Sequence, residues 1–315
     1  MFSPFGSMFQ DEEYMDPLNP ETRLLRVAMQ KQEIIWKAKK EARQIQEILD
    51  RVGEYNSKFR RKFKIANILG NGAFGCVYHV HESLNYYKIH NFAIKRIPLP
   101  RSEKGMKAAL REVEALVSFD HSGIVRFYDS WIEEPPEGWQ REFDYYEHSK
   151  LNYTDNVSYN DDSAFLYIKM ELCGSTLAKW LQNNENRELT RMINWFKQIV
   201  SAVGYIHKNG RIHRDLKPQN IFFAHKDRLK VGDLGIVTEE EKLLNIAEAE
   251  RTFGMCTKKY MAPEQNGWTY YDNKVDIFAL GLILAELFVK MNDDVAEKVF
   301  NNYREGIPND ILQDA

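Results

Sequence analysis

Apolar and polar residues alternate with a period of two on both sides of a glycine cluster, at residues 63–69 and 76–80. This alternation, with its aromatic and β-branched residues, predicts two strands joined by a turn. The short apolar runs 92–95 and 164–170 predict two further strands. The longest apolar run, 277–289, predicts a buried helix, because it is too short to cross a bilayer and contains Glu286.

Two other segments have helical periodicity. The first, residues 103–119, repeats apolar residues every three or four positions and predicts a helix that returns to a strand. The second spans residues 21–60, and its apolar positions are Ile35, Ala38, Ala42, Ile45, Leu49 and Val52. It predicts a helical extension that lies on the neighbouring lobe or in solvent, or a short coiled coil that makes a dimer contact. Residues 1–20 are polar and rich in turn formers, so we expect them to be disordered.

Residues 133–163 form a polar, acidic and tyrosine-rich segment between two predicted strands. It begins with two prolines and shows no clear period. We therefore interpret it as an insertion that is mostly loop.

Composition limits the classes of function. The chain has 315 residues, of which 43% are hydrophobic and 28% charged, which suits a two-lobed globular unit with an extension. A net charge of −3 gives no argument for nucleic-acid binding. Three widely spaced cysteines, without a metal-binding pair, indicate a reduced, cytoplasmic protein, and the first twelve residues do not resemble a signal peptide.

The glycine cluster reads Gly-x-Gly-x-x-Gly-x-Val over residues 70–77. Glycines let a backbone approach a triphosphate without a Cβ in the way, although a plain hairpin turn fits the pattern equally well. A dinucleotide site would need a helix directly afterwards, and a strand is predicted instead. Twenty residues beyond Gly75, Lys95 ends a short apolar strand, where its ammonium suits a phosphate.

A lysine in that position needs a carboxylate to hold it. The helix predicted over 103–119 carries Glu112 and Glu114. We choose Glu112, because it lies one residue from the apolar stripe. Glu114 is the alternative, and it then belongs to the solvated face.

Further along the chain, residues 213–220 read His-Arg-Asp-Leu-Lys-Pro-Gln-Asn, and Asp233-Leu234-Gly235 follows thirteen residues after Asn220. This stretch combines a candidate base, a lysine and two candidate metal ligands. Those are most of the groups that a phosphoryl-transfer site requires.

Together these motifs resemble the eukaryotic protein kinases, in order and in spacing. The matching residues are Gly70, Gly72, Gly75, Lys95, Glu112, His213, Arg214, Asp215, Asn220, Asp233, Leu234, Gly235, Ala262, Pro263 and Glu264. The resemblance implies an α+β, bilobal kinase fold over residues 63–315. Its small antiparallel β lobe with one main helix would span 63–172, and its mostly helical large lobe 173–315.

The resemblance also implies roles in ATP-dependent phosphate transfer with Mg²⁺. Asp215 would accept the proton of the attacking hydroxyl, and Lys217 would face the γ-phosphate. Asn220 and Asp233 would hold metal ions, while Lys95 paired with Glu112 would hold the other phosphates. The lysine at 217 is typical of serine/threonine kinases.

The nucleotide would lie against the glycine loop, the neighbouring strands and a hinge after the fifth strand. There, Met170 would line the back of the pocket, and the backbone from Glu171 would bond the adenine. The implied nucleotide-binding residues are Leu69, Gly70, Asn71, Gly72, Ala73, Phe74, Gly75, Cys76, Val77, Ala93, Lys95, Met170, Glu171 and Cys173.

Three segments narrow the resemblance to the kinases of the α-subunit of translation initiation factor 2. Residues 131–140 look like the endoplasmic-reticulum stress-sensing member, and residues 292–307 like the RNA-activated and haem-regulated members. Residues 260–265 also fit this group. The implied reaction is phosphorylation of a serine on that subunit, which lowers translation initiation under stress.

Departures from the family pattern are few. Asn292 stands where a threonine opens the substrate-docking helix, Cys256 replaces a glycine, and Leu234 replaces the commoner phenylalanine. The final large-lobe helices are expected to be absent, which would leave Glu264 as a buried carboxylate without its usual arginine.

Thr252 and Thr257 match positions that this family phosphorylates, and a phosphate there could pair with Arg214. Thr257 could instead be a substrate-loop hydroxyl that bonds Asp215. The partners implied are the initiation-factor subunit and a second copy of the chain, with no nucleic-acid module and no membrane span. The alternative to an active kinase is a truncated pseudokinase that binds ATP or dimerises without turnover.

Overall fold

A computed structural model describes residues 33, 37, 40, 55–72, 75–85, 88–99, 113, 116–151, 163–233, 238–239, 258–265 and 272–307. The fold is α+β and bilobal, as the sequence predicts. An antiparallel sheet with the strand order β1-β2-β3-β5-β4 forms the small lobe. Its strands are β1 (Phe63–Gly72), β2 (Gly75–Asn85), β3 (Lys88–Leu99), β4 (Phe127–Glu133) and β5 (Ala164–Glu171).

The two faces of this sheet have different uses, because successive side chains on a strand point to opposite sides. One face carries Val77 on β2 and Lys95 on β3, which are paired in register. This inner face borders a cavity. The outer face carries an aromatic core that includes Tyr78, Phe165 and Tyr167.

Two helices cover the outer face. The short helix α1 (Lys58–Lys62) precedes β1, and the backbone N–H of Phe59 donates to Glu133 over 2.8 Å. The second helix, α2 (Trp139–Lys150), lies within the insertion. Twelve residues of the segment 133–163, which we expected to be mostly loop, are thus helical, and residues 152–162 lie outside the described part of the chain.

The buried face of α2 explains why its period was not recognised. Its apolar residues, Trp139 and Phe143, alternate with the polar residues Gln140, Asp144 and His148, and all five are buried. Their spacing of three and four residues is helical, but a purely hydrophobic pattern counts only two of them. Asp144 is buried against Arg96 of β3, through two bonds of 2.6 Å.

In the large lobe, helices α3 (Leu177–Asn183) and α4 (Leu189–Lys208) come first. They are followed by β6 (Arg211–Ile212), β7 (Ile221–Ala224), β8 (Arg228–Val231) and β9 (Thr238–Glu239). Strands β6 and β9 pair, as do β7 and β8. Strands β7 and β8 form a hairpin, and Phe222 of β7 lines the cavity.

Helices α5 (Lys274–Phe288) and α6 (Asp293–Arg304) complete the described part of this lobe. Helix α5 confirms the buried helix that the run 277–289 predicts, and the large-lobe core includes Leu280, Ile283 and Leu287. Glu264 is only half-buried, so the expectation of a fully buried carboxylate there was wrong.

Other predictions fall partly outside the described residues. Val113, Leu116 and Val117 are helical, as the pattern over 103–119 predicts. In the N-terminal extension, residues 33, 37 and 40 are helical, and Glu33 pairs with Lys37 at 3.0 Å. Among the described residues, no helix is both long and apolar enough to cross a membrane.

Asn292 begins α6, and its side chain accepts a 2.8 Å hydrogen bond from the backbone N–H of Val295. Replacing Asn292 by alanine should lower the free energy of unfolding by about 1 kcal/mol, because one helix N–H then loses its cap. Urea unfolding would measure the change. Asn292→Thr keeps a capping oxygen and should retain most of the stability, and equal losses in both variants would contradict the capping role.

Candidate active site

A cavity of about 560 Å³ lies between the inner face of the sheet and the large lobe. Its lining changes in character from end to end, with apolar side chains of β2, β3 and β5 at one end and charged or amide groups at the other. The lining residues are Leu69, Gly70, Gly75, Val77, Ala93, Lys95, Leu116, Val125, Phe127, Ile168, Met170, Glu171, Leu172, Cys173, Gly174, Ser175, Thr176, Lys179, Gln219, Asn220, Phe222, Gly232 and Asp233.

The described part of the glycine cluster lies at the end of β1 and the start of β2, where Gly72 pairs with Gly75. Gly75 has a φ of +106°, and a Cβ there would lie 1.9 Å from the carbonyl oxygen of Arg96. No other residue type fits that position, because its side chain would occupy the neighbouring strand. The start of β2 at Gly75 is therefore held close to β3 beside the cavity.

Cys76 differs from the other residues expected to bind nucleotide. Its side chain is fully buried in the aromatic core of the outer face, whereas Gly75 and Val77 line the cavity. The alternation of β2 explains this placement. Burial also raises the pKa of the Cys76 thiol, so the side chain acts as a small core residue.

The hinge follows β5 at the apolar end of the cavity. The backbone N–H of Glu171 donates to the carbonyl of Arg126 over 2.8 Å, and the carboxylate of Glu171 pairs with Lys230 at 2.7 Å. Met170 and Cys173 both line the cavity. Burial, together with the charge of Glu171, raises the pKa of the Cys173 thiol to about 11, so the thiol is protonated near neutral pH.

At the polar end, Nζ of Lys95 lies 2.5 Å from Oδ1 of Asp233. Burial raises the pKa of Asp233, but the charge and hydrogen bond of Lys95, with contributions from His213 and Lys217, hold that pKa below its usual value. Asp233 therefore stays ionised at neutral pH. Its φ of 54° is uncommon for a residue with a side chain, which makes this a constrained position.

The loop after β6 adds a second set of charges. Oδ2 of Asp215 accepts from Nζ of Lys217 at 2.7 Å and from the amide of Asn220 at 3.0 Å. The Asn220 amide also donates to the backbone carbonyl of Asp215 at 2.8 Å. The Asp215 carboxylate is 5% exposed and fixed in direction, which suits it to orient a hydroxyl group.

The backbone of Asn220 also links the two halves of the polar end. Its main-chain carbonyl accepts a 2.9 Å hydrogen bond from the backbone N–H of Gly232. His213 makes a second link, with its Nε2 3.1 Å from the Gly232 carbonyl and its Nδ1 3.3 Å from the N–H of Asp215. The ring therefore lies between the two segments, with Nε2 facing an acceptor and Nδ1 facing a donor.

Sequence reasoning missed Asp276, which supports this loop. Its two carboxylate oxygens accept from the backbone N–H groups of His213 and Arg214, each at 2.8 Å, and Oδ2 also lies 2.7 Å from Nε2 of His207. Arg214 has a φ of 71°, which costs energy that these bonds offset. The sequence offered one signal, an acid directly before the apolar run at 277–289. In the structure this acid, Asp276, is only 1% exposed.

The polar end has the donors that a nucleotide and its metal ion need. Carboxylate and amide oxygens, as on Asp233 and Asn220, are the ligands that Mg²⁺ prefers. The described residues contain no group of three His, Cys, Asp or Glu side chains arranged around a metal. A bound ion would therefore take its remaining ligands from phosphate and water, which is how Mg²⁺ is held in nucleotide sites.

Several expected residues lie outside the described part of the chain: Ala73, Phe74, Glu112, Glu114, Leu234, Gly235, Thr252, Cys256 and Thr257. The side chain of Asn71 is likewise not described. Their assigned roles stay predictions.

This arrangement of a glycine turn, a buried lysine and a supported Asp-Lys-Asn loop around one cleft is that of a protein kinase. Residues 63–305 match the family model of the protein kinase domain. The chain therefore belongs to the protein kinase family, whose members use ATP with a divalent metal.

Within that family the chain is similar to kinases of translation initiation factor 2α. It is 36% identical over 265 residues to the rat interferon-induced, double-stranded RNA-activated protein kinase, covering 82% of this chain and 47% of that protein. It is 40% identical over 163 residues to the Caenorhabditis elegans eukaryotic translation initiation factor 2-alpha kinase pek-1, covering 46% of this chain and 15% of that protein. It is 29% identical over 261 residues to the Arabidopsis thaliana eIF-2-alpha kinase GCN2, covering 74% of this chain and 20% of that protein. The chain thus spans less than half the length of these relatives.

Proposed function

We propose that this protein transfers the γ-phosphate of ATP to a serine on the α-subunit of translation initiation factor 2, and so lowers translation initiation under stress. One observation carries the proposal: the Asp215 carboxylate lies 2.7 Å from Lys217 and 3.0 Å from Asn220, and Asn220 lines the same cleft as Lys95 and Asp233. The names of the relatives supply the substrate.

The apolar end of the cleft suits an adenine ring. Val77 and Ala93 supply a flat apolar surface on the inner face of the sheet, and Met170 closes the back. Hinge backbone groups after Glu171 would bond the edge of the base. This division, apolar at one end and charged at the other, matches the two parts of a nucleotide.

At the charged end, each side chain has a distinct task. Asp233 and Asn220 would hold Mg²⁺, which neutralises charge on the phosphates and links them to the protein. A metal held by Asp233 would release Lys95 to bind phosphate, with Glu112 as the expected carboxylate partner of the lysine. The hydrogen-bond link from Asn220 to Gly232 keeps the two metal-binding side chains on one framework.

Asp215 would accept the proton of the substrate hydroxyl and aim its oxygen at the phosphate. Lys217, paired with Asp215 at 2.7 Å, would face the phosphate in transfer and stabilise its developing charge. This lysine favours serine or threonine over tyrosine as the acceptor. Phosphorylation of Thr252 or Thr257 would regulate the reaction by adding negative charge near Arg214.

A phosphate-transfer assay tests the function. The purified chain, Mg²⁺ and γ-labelled ATP should place label on the α-subunit and on the chain itself, as phosphoserine or phosphothreonine. Chelation of the metal should stop both, and an α-subunit with its acceptor serine replaced by alanine should stay unlabelled. Label on tyrosine alone would contradict the acceptor class. ATP binding without any transfer would instead favour a regulatory ATP-binding or dimerising module.

A further inference from the structure

Two histidines and an asparagine converge on the inner face of the small-lobe sheet, beyond the residues that line the cleft. Nε2 of His79 lies 3.0 Å from Oδ1 of Asn91, and Nδ1 of His81 lies 2.7 Å from the same oxygen. The centres of the two imidazole rings are 5.1 Å apart. One ring nitrogen from each histidine therefore meets a single amide oxygen.

The strands dictate this convergence. His79 and His81 are two residues apart on β2, so their side chains share a face, and His81 is in register with Asn91 on β3. The histidines are half-buried and Asn91 is exposed, which leaves the group open to solvent.

From this geometry we propose that His79, His81 and Asn91 form a binding site for a divalent transition metal that prefers nitrogen ligands, such as zinc. Ligand atoms around tetrahedral zinc, with bonds of about 2.0–2.2 Å, are roughly 3.3–3.6 Å from one another. The observed separations of 3.0 and 2.7 Å are somewhat shorter, so the three side chains would move apart slightly to admit the ion. Imidazole nitrogen selects zinc, copper or nickel over Mg²⁺, so the site is distinct in chemistry from the nucleotide's metal.

Zinc would bind the ring nitrogens that now face the asparagine, and the amide oxygen would be the third ligand. Each neutral imidazole then carries its single proton on its other ring nitrogen, so binding changes only the position of that proton. Water would complete the coordination, because the site is open.

A zinc ion bound at this site would link β2 to β3 beside the strand residues that line the cleft. His79 is in register with Ala93 and two residues from Val77, and both of these line the cavity. Zinc binding should therefore stabilise the folded small lobe, since a ligand that binds only the folded chain raises its unfolding temperature. This proposal does not depend on phosphate transfer.

Competition between the full chain and a chromogenic zinc chelator tests the site. The wild type should bind one more zinc ion than His79→Ala/His81→Ala, and excess Mg²⁺ should not displace that ion. Cobalt, used in place of zinc, should give an absorption spectrum that the double variant lacks. Asn91→Ala should weaken zinc binding by roughly 10- to 100-fold.

His90 provides a matched control. It lies on the neighbouring strand but on the outer face, where its ring stacks on Phe92 with centroids 6.2 Å apart. His90→Ala should bind zinc as the wild type does and should keep the zinc-dependent rise in unfolding temperature. Equal zinc binding by the wild type, His90→Ala and the folded double variant would overturn the proposal.

Discussion

Replacing Asp215 by asparagine is expected to lower the rate of phosphate transfer by about 10²–10⁴-fold, because the substrate hydroxyl loses its base. The asparagine side chain has nearly the same shape and can still accept the 3.0 Å bond from the Asn220 amide. The loop should therefore keep its conformation. Affinity for ATP should change little, since Lys95 and Asp233 remain in place.

Single-turnover transfer of label, together with a separate measurement of ATP binding, would distinguish these effects. A loss confined to kcat places Asp215 at the chemical step, whereas a rise in the KM for ATP would indicate a disturbed cleft. Unfolding temperature should stay close to that of the wild type. A variant that transfers phosphate at the wild-type rate would rule out Asp215 as the base.

Asp227→Asn is the matched control for this experiment. Asp227 lies in the same lobe and is also paired with a cation, Arg191 at 2.6 Å, but both side chains are exposed at the surface. Its φ of 63° is a conformation that asparagine adopts readily. The control should transfer phosphate as the wild type does, so that loss of charge alone cannot account for the effect at 215.

Sequence alone predicts the chemical groups of the site better than their supports. Lys95, Asp215, Asn220 and Asp233 each occur in a short motif whose spacing is fixed by the chemistry, so local sequence suffices to find them. All four are placed together by the structure around the cleft. Their catalytic and metal-binding roles stay predictions until transfer is measured.

Asp276 supports the loop through a contact between residues more than sixty positions apart in the sequence. Its carboxylate accepts hydrogen bonds from the backbone N–H groups of His213 and Arg214. Backbone acceptors and donors have no sequence signature, so such a contact leaves little trace in a motif. The only sign of this contact in the sequence was a carboxylate at the start of an apolar helix. Single-sequence reasoning tends to assign that position to a helix start, where an acid is common for other reasons.

The strands and the helix α5 follow from hydrophobic patterning, because their buried faces are apolar. Helix α2 does not, since Gln140, Asp144 and His148 share its buried face with two aromatic residues. Its polar positions are buried because Arg96, far away in sequence, satisfies Asp144. Cys76 illustrates the same limit: a motif indicated its position in the chain but not the face of β2 on which it lies.

Replacing Asp144 by alanine should lower the free energy of unfolding by about 3–5 kcal/mol, which is a large part of the stability of a typical domain. The guanidinium of Arg96 is 1% exposed and lies over the rings of Tyr78 and Phe165, at 5.4 and 5.2 Å. Burial lowers the pKa of Arg96, but the charge of Asp144 outweighs it and holds that pKa above its usual value. Without Asp144, a buried cation would lose its carboxylate.

Removing both charges should cost far less than removing one. Arg96→Met/Asp144→Leu fills the space with apolar side chains and leaves no buried ion, a change that is often neutral in other proteins. The cycle formed by Arg96→Met, Asp144→Leu and the double variant should therefore show a coupling energy larger than the cost of either single variant, about 3 kcal/mol or more. Urea unfolding followed by tryptophan fluorescence would measure all four proteins, since Trp139 on α2 is buried against the same core.

Asp129→Ala is the control for the charge-pair argument. Asp129 on β4 pairs with Lys58 of α1 at 2.9 Å, but the two side chains are 48% and 30% exposed, so solvent screens the pair. Its loss should cost at most about 1 kcal/mol. If Asp144→Ala costs no more than this control, α2 is not held to the sheet by the buried pair, and its apolar contacts through Trp139 and Phe143 must suffice. If Asp144→Ala costs as predicted and also weakens ATP binding, the insertion supports β3 and hence the position of Lys95, which directly precedes Arg96 on that strand.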